Sequence, residues 1–282
     1  MPTTEVLVDG LHFPEGPRWR DGWLWFSDMH APAVKRVSPE GKLEELFPVP
    51  GRPSGLGWLP DGRLLVVSMT DRRVLRRELD GQLVEHAELS GSATHDCNDM
   101  LVDAQGRAYV GNFGSEPDFP RPPRPAALAL VDLDGSVREA ASDLLFPNGC
   151  VLTPDGRTLI VGETFGARLS AFDVAPDGSL SNRRVWAEHA GMLPDGCCLD
   201  AEGGIWVASP MSGGEVLRVV EGGEVTHRIR ARSEPFACML GGEDRRTLFV
   251  CTAANAEVDY CQDHASGAIE VARVEWPAAG LP

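Results

Sequence analysis

Basic residues are scarce in this chain. Twenty-six Lys and Arg stand against 42 Asp and Glu in 282 residues, a formal charge of −16. Sequence-independent affinity for nucleic acid comes from Lys and Arg displacing counterions from phosphates, so a nucleic-acid partner is excluded, and a polyanionic substrate is disfavoured for the same reason. An uncharged apolar run of about 18 residues, long enough to span a bilayer, is also missing. The opening MPTTEVLVDG has neither the basic nor the apolar region of a secretory signal. These absences predict a soluble, cytoplasmic protein without membrane partners. The seven cysteines are odd in number and include no CxxC pair, and Cys197 and Cys198 are adjacent, so reduced thiols are expected in place of a disulfide framework or a thiolate zinc site. Among the seven histidines there is no HxH or HxxxH pair, and GxSxG, HExxH and GxxxxGK[ST] do not occur. Serine-hydrolase, zincin and P-loop chemistry therefore have no motif here.

Turn signals are plentiful, with 31 Gly and 22 Pro between short apolar runs. Six apolar segments recur: WLWFSD (23–28), RLLVVS (63–68), RAYVGN (107–112), TLIVGE (158–163), GIWVAS (204–209) and TLFVCT (247–252), starting 40, 44, 51, 46 and 43 residues apart. A third alternating run follows each, from AVKRVSP (33–39) to AIEVARV (268–274). Six units in 282 residues leave 47 for each, enough for four strands and their turns. The sixth unit lacks a fourth strand, while EVLVDGL (5–11) precedes the first without a partner. The expected fold is all-β, a six-bladed β-propeller over 1–282 as one domain, its ring closed by the N-terminal strand pairing in the last blade. Closure removes the sheet edges that invite aggregation.

In such a blade the loop entering strand one and the loop joining strands two and three share a face, where small-molecule sites converge. Aligned on their turns, the entering segments put Glu15, Ser54, Asn98, Asn148, Asp195 and Phe236 at one repeat position. Two carboxylates and two amide carbonyls around an axis are hard oxygen donors, suited to Ca²⁺, Mg²⁺ or Mn²⁺. A single Pro-Asn-Gly or Pro-Asp-Gly could be only a turn. Its recurrence at one position in several blades points to a ligand set.

HFPEGPRW, CNDMLVDAQGRAYVGN, FPNGCVLTPDGRTLIVGET and LPDGCCLDAEGGIWVAS resemble, in order and at blade spacing, the regucalcin/gluconolactonase family of six-bladed propellers over essentially the whole chain. The resemblance implies a divalent metal, commonly Ca²⁺ with Mg²⁺, Mn²⁺ or Zn²⁺ as other candidates. Glu15, Asn148 and Asp195 match its ligands, and Asn98 lies near metal or substrate. It implies hydrolysis of lactones, small cyclic esters, with Asp195 acting on water. The related diisopropylfluorophosphatase carries a similar oxygen site, which opens phosphotriester hydrolysis as a second reaction; a non-catalytic propeller with a structural metal is the alternative class. A fixed cation suits ester opening, because charge grows on the carbonyl oxygen in the transition state.

The chain departs from the family at one point. Where sugar-lactone members resemble an Arg-x-Asn-Asp pattern, it reads Asp96-Cys97-Asn98-Asp99, so a donor to sugar hydroxyls is replaced by an acid. Glu116 falls on the loop where the family places an acidic substrate contact. The loops between strands two and three bring Met29, His30, Met69, Phe113, Phe165 and Met211. An apolar rim with few polar groups suits a hydrophobic or aromatic lactone or ester better than an aldonolactone. His95 and Cys97 flank Asp96 as a local Cys/His pair, but nothing in the sequence lowers the thiol pKa. Cys150, Cys197 and Cys238 share a repeat position and are expected to fill the channel as small apolar groups. PDFPRPPRP (117–125) is expected to be a rigid loop over the pocket. Oligomeric state has no signature.

Overall fold

The computed structural model describes residues 1–115 and 123–281. Twenty-four strands form six four-stranded antiparallel sheets, and in the first five the sheet order follows the chain order. The predicted second strands are found within a residue of their expected limits, as Trp23–Asp28, Leu64–Ser68, Ala108–Asn112, Thr158–Glu163, Ile205–Ser209 and Thr247–Ala253. Their apolar side chains are buried because both faces of a blade pack on neighbouring blades. Val151, Ile160, Val207 and Leu217, for instance, form one cluster between blades 4 and 5.

The last sheet consists of Glu234–Gly241, Thr247–Ala253, Gly267–Arg273 and, as its outer strand, Glu5–Leu11. Glu5 pairs with Val271 and Leu11 with Gly267, so the N-terminal strand closes the ring as expected. The innermost strands Pro14–Arg20, Pro53–Trp58, Cys97–Val102, Pro147–Leu152, Cys197–Leu199 and Glu234–Gly241 adjoin one another around the axis.

On the face opposite the entering loops, Asx turns join strands one and two. Asp103 accepts backbone N–H groups of Gln105 and Arg107, and Asp200 those of Glu202 and Gly204. These bonds offer the chain a local alternative to the ladder, which is why Asp recurs at the turns.

One element has no counterpart in the strand periodicity. A short helix, Val258–Asp263, lies between the second and third strands of blade 6. Its Cys261 is fully buried and its Tyr260 packs against the cluster containing Phe13, Met29, Met69 and Phe236. All seven cysteines are free thiols and buried. No helix among the described residues is long and apolar enough to cross a membrane. Glu116 and most of the proline-rich segment 117–125 lie outside the described residues.

Candidate active site

Five of the six innermost strands carry a register shift at the repeat position singled out above: between Glu15 and Arg18, Pro53 and Leu56, Cys97 and Met100, Pro147 and Cys150, and Pro235 and Ala237. An extra residue re-aims side chains off the ladder. The result is a chain of hydrogen bonds from blade to blade. Ser27 Oγ donates to the Ser54 carbonyl at 2.6 Å, Ser54 Oγ to Asn98 Oδ1 at 3.2 Å, Asn98 Nδ2 to Asn148 Oδ1 at 2.9 Å and Asn148 Nδ2 to Thr164 Oγ1 at 3.2 Å. Thr164 Oγ1 in turn donates to the Pro194 carbonyl, next to Asp195. The glycine after each site residue allows this approach: a Cβ on Gly149 would lie 2.5 Å from the Asp195 carbonyl oxygen, and one on Gly16 2.7 Å from that of Ser54.

Glu15, Asn98, Asn148 and Asp195 are all buried. Glu15 keeps one hydrogen bond, from the Gly16 amide to Oε2. Asp195 Oδ1 is buried without a hydrogen-bond partner. Burial first, then the negative charges of Asp195 and Asp99, push the Glu15 carboxyl well above the usual range. Burial pushes Asp195 up to about 8, opposed by the Asn148 amide and reinforced by Asp99. Two buried carboxyls whose ionisation is penalised, with one oxygen left bare, make a site that a cation would complete. Among the described residues no three His, Cys, Asp or Glu side chains gather to hold a metal; this cluster instead combines two carboxylates with two amides.

The entering loops are braced by residues that sequence reasoning missed. The last residue of strand two is polar in five blades, Asp28, Ser68, Asn112, Glu163 and Ser209, and in the sixth the polar residue, Thr252, stands one before the strand end. Asp28 Oδ1 accepts the N–H groups of His12 and Phe13, Glu163 Oε2 that of Leu145, and Ser209 Oγ that of Leu193. Each bond holds the backbone two or three residues before Glu15, Asn148 or Asp195. The signal was present in the repeat as an invariant polar end to an apolar run.

Aromatic rings gather in two groups. Phe113 stacks on Phe146 at 4.4 Å, and Phe146 meets Phe165 at 5.3 Å, with His95 edge-on to Phe113. Phe13 lies 4.6 Å from Phe236 and 5.5 Å from His30. Phe146 was not foreseen. It adopts φ +59°, a left-handed conformation that costs a bulky residue of order 1–2 kcal/mol and is kept only where packing enforces it. His30 is buried with Nδ1 unpartnered, and burial followed by the positive charge of Arg52 holds it down at about 4, so it is neutral at pH 7.

The remaining expected contacts are dispersed. Met29 and Met69 are buried in the core, whereas Met211 is 70% exposed. The Asp96 carbonyl accepts the Phe113 N–H, and its side chain lies 3.9 Å from His95. Burial pushes the Cys97 thiol up to about 12, the opposite of what a nucleophile needs. Cys150, Cys197 and Cys238 are buried, as channel fillers should be. Two surface clefts of about 440 and 450 Å³ contain no residue of the central cluster; one is lined by Gln105, Arg107 and Asp132, the other by Met1, Trp206 and Trp276.

Residues 13–254 match the family described as the SMP-30/Gluconolactonase/LRE-like region. A 6-deoxy-6-sulfogluconolactonase of Pseudomonas putida is 28% identical over 278 residues, covering 95% of this chain and 93% of that protein. A pentonolactonase of Haloferax volcanii is 28% identical over 294 residues, covering 100% and 97%. Among solved structures, a luciferin-regenerating enzyme superposes with a TM-score of 0.85 at 19% identity, covering 100% of this chain and 99% of that one, a likeness of fold.

Proposed function

The chain belongs to the SMP-30/Gluconolactonase/LRE-like family, and from that membership we propose that it hydrolyses lactones at the central cluster, with a divalent cation held by Glu15, Asn148 and Asp195. The residues suit such an ion: the donors are all hard oxygens, two are carboxylates, and Asp195 Oδ1 is buried without a partner. Ca²⁺ fits this donor set best. Bound there, the cation would supply Lewis acidity to a lactone carbonyl.

The protein's own groups do the rest. Ionised when the cation is held, the Asp195 carboxylate orients water and accepts its proton as the water oxygen bonds to the carbonyl carbon. Asn98 has both side-chain atoms engaged, to Ser54 and Asn148, and so holds the Asn148 carbonyl in place beside the substrate position. The ring C–O bond then breaks, and the departing alkoxide oxygen takes back the proton that Asp195 accepted, leaving the hydroxy acid and restoring the carboxylate.

The recognition groups favour an apolar or aromatic lactone over an aldonolactone. Phe113 stacks on Phe146, Phe165 meets the same ring at a tilt, and the neutral His30 sits against Phe13. Glu116 and Asp96 are the proposed polar contacts, Asp96 replacing a donor to sugar hydroxyls, whereas Met69 lies in the core and Met211 is exposed. The observation that carries the reading is the bare buried oxygen of Asp195 beside Glu15. The test is hydrolysis of gluconolactone and of a bicyclic aromatic lactone, each with and without chelator. Chelator-sensitive turnover with higher kcat/KM for the aromatic lactone is expected. A clear preference for gluconolactone refutes the specificity, and unchanged turnover in chelator refutes the cation.

A further inference from the structure

One ion pair lies in the central channel among the innermost strands. Arg18 Nη2 donates to Asp99 Oδ1 at 2.7 Å, and both side chains are only 6% exposed. The same nitrogen donates to the Met100 carbonyl, and Nη1 to that of Pro17 at 2.8 Å. Each partner breaks the repeat. Asp99 follows the site residue in blade 3, where the other blades have Gly16, Gly55, Gly149, Gly196 and Ala237. Arg18 stands three after the site residue in blade 1, where the others have Gly57, Leu101, Val151, Cys198 and Met239. Gly55 of the intervening blade leaves room: a Cβ there would lie 2.9 Å from Asp99 Oδ1 and 2.2 Å from the Met100 nitrogen.

Packing does not explain this arrangement. A buried ion pair is often no more stabilising than apolar residues of the same volume, and five blades use small or apolar residues at the same positions. The pair adjoins the site: Asp99 follows Asn98, and Gly55, where a Cβ would meet Asp99 Oδ1, has its Cα 3.2 Å from where a Cβ on Gly16, next to Glu15, would stand.

We propose that Arg18 sets the charge of the cation site, its guanidinium cancelling Asp99 so that Glu15 and Asp195, both ionised when a cation is bound, alone leave two net negative charges, the number a divalent ion neutralises. The inference rests on the cation reading given above and concerns which ion the site prefers. With Asp99 uncompensated a third negative charge would stand beside the two ligand carboxylates and favour a trivalent ion. With Arg18 uncompensated it would hold one net negative charge and bind a divalent ion poorly.

Calorimetric titration of the full-length protein with Ca²⁺ and La³⁺ tests this without reference to activity. Arg18→Met is expected to shift the ratio of La³⁺ to Ca²⁺ affinity upward by about tenfold or more, since one unit charge at close range in a protein interior is worth that much. Asp99→Asn is expected to weaken Ca²⁺ by about tenfold and La³⁺ by more. The double variant Arg18→Met/Asp99→Asn restores the wild-type charge and is expected to return the ratio to within about threefold of wild type. Should Arg18→Met fail to fold, Asp99→Asn and the double variant decide. Wild-type binding with an unchanged ratio in Asp99→Asn overturns this inference alone. A wild-type protein that binds neither ion overturns the cation reading, and this inference with it.

Discussion

A carboxylate oxygen buried without a donor costs several kcal/mol unless something ionic or protic meets it, and Asp195 Oδ1 is such an atom. Replacing Asp195 by Asn keeps the shape and one oxygen while removing the base. Asp195→Asn is expected to lower kcat by about 10²–10⁴-fold with the far-ultraviolet spectrum and melting cooperativity retained; near-normal kcat would show that another group acts on water. Glu163 illustrates the opposite case. Burial alone would raise its carboxyl, but Arg168, Ser170, the Leu145 amide and Arg183 together outweigh it and hold the group below its usual range. Its depressed folded value stabilises the native state above the unfolded carboxylate pKa, and that stability is lost as pH falls through the folded value. Glu163→Ala should therefore cost about 3 kcal/mol in urea unfolding at pH 7, with the difference from wild type shrinking as pH drops below about 4. A pH-independent difference would mean that Glu163 acts through packing.

At the scale of the element, the bulged innermost strand is the unit that repeats, and its glycine sets how closely two blades approach. Gly149→Ala puts a Cβ within 2.9 Å of three backbone atoms of residues 195–197, atoms that cannot rotate away. The expected cost is about 1–3 kcal/mol, together with a loss of activity greater than the loss of folded protein, because Asn148 and Asp195 are pushed apart. Gly156→Ala is the control: open space surrounds it, and only its φ of +70° opposes a side chain, so about 1 kcal/mol is lost and activity per folded molecule is kept. Equal specific activities in the two variants would show that blade approach does not position the cluster. Strand limits were legible in the sequence to within a residue or two because the period-2 pattern and the Asx turns agree on them. The helix Val258–Asp263 was not, since six residues carry too few turns to show a helical period.

Across the whole molecule, the proposed ligands come from blades 1, 4 and 5, so an ion bound by them ties together parts of the ring far apart in the chain. Added Ca²⁺ should raise the Tm of metal-free protein in proportion to log concentration above Kd, reaching about 2.7 kcal/mol of stabilisation at one hundred times Kd. An unchanged Tm across the titration would remove Glu15, Asn148 and Asp195 as ligands. A structural ion would pass this test, which is why the lactone assay is separate.

By itself the sequence determined the six-fold repeat, the strand that closes the ring and the alignment of Glu15, Asn98, Asn148 and Asp195, because each is a matter of period and turn chemistry carried by neighbouring residues. Only the tertiary structure decided that Asp195 Oδ1 is left bare, that Arg18 reaches across blade 2 to Asp99, that Phe146 joins Phe113 and Phe165, and that Met69 is core while Met211 is exposed. Those outcomes depend on distances between blades and on how much water each side chain loses. Both quantities arise when residues some 50 to 200 positions apart are brought to one axis, where no local pattern records them.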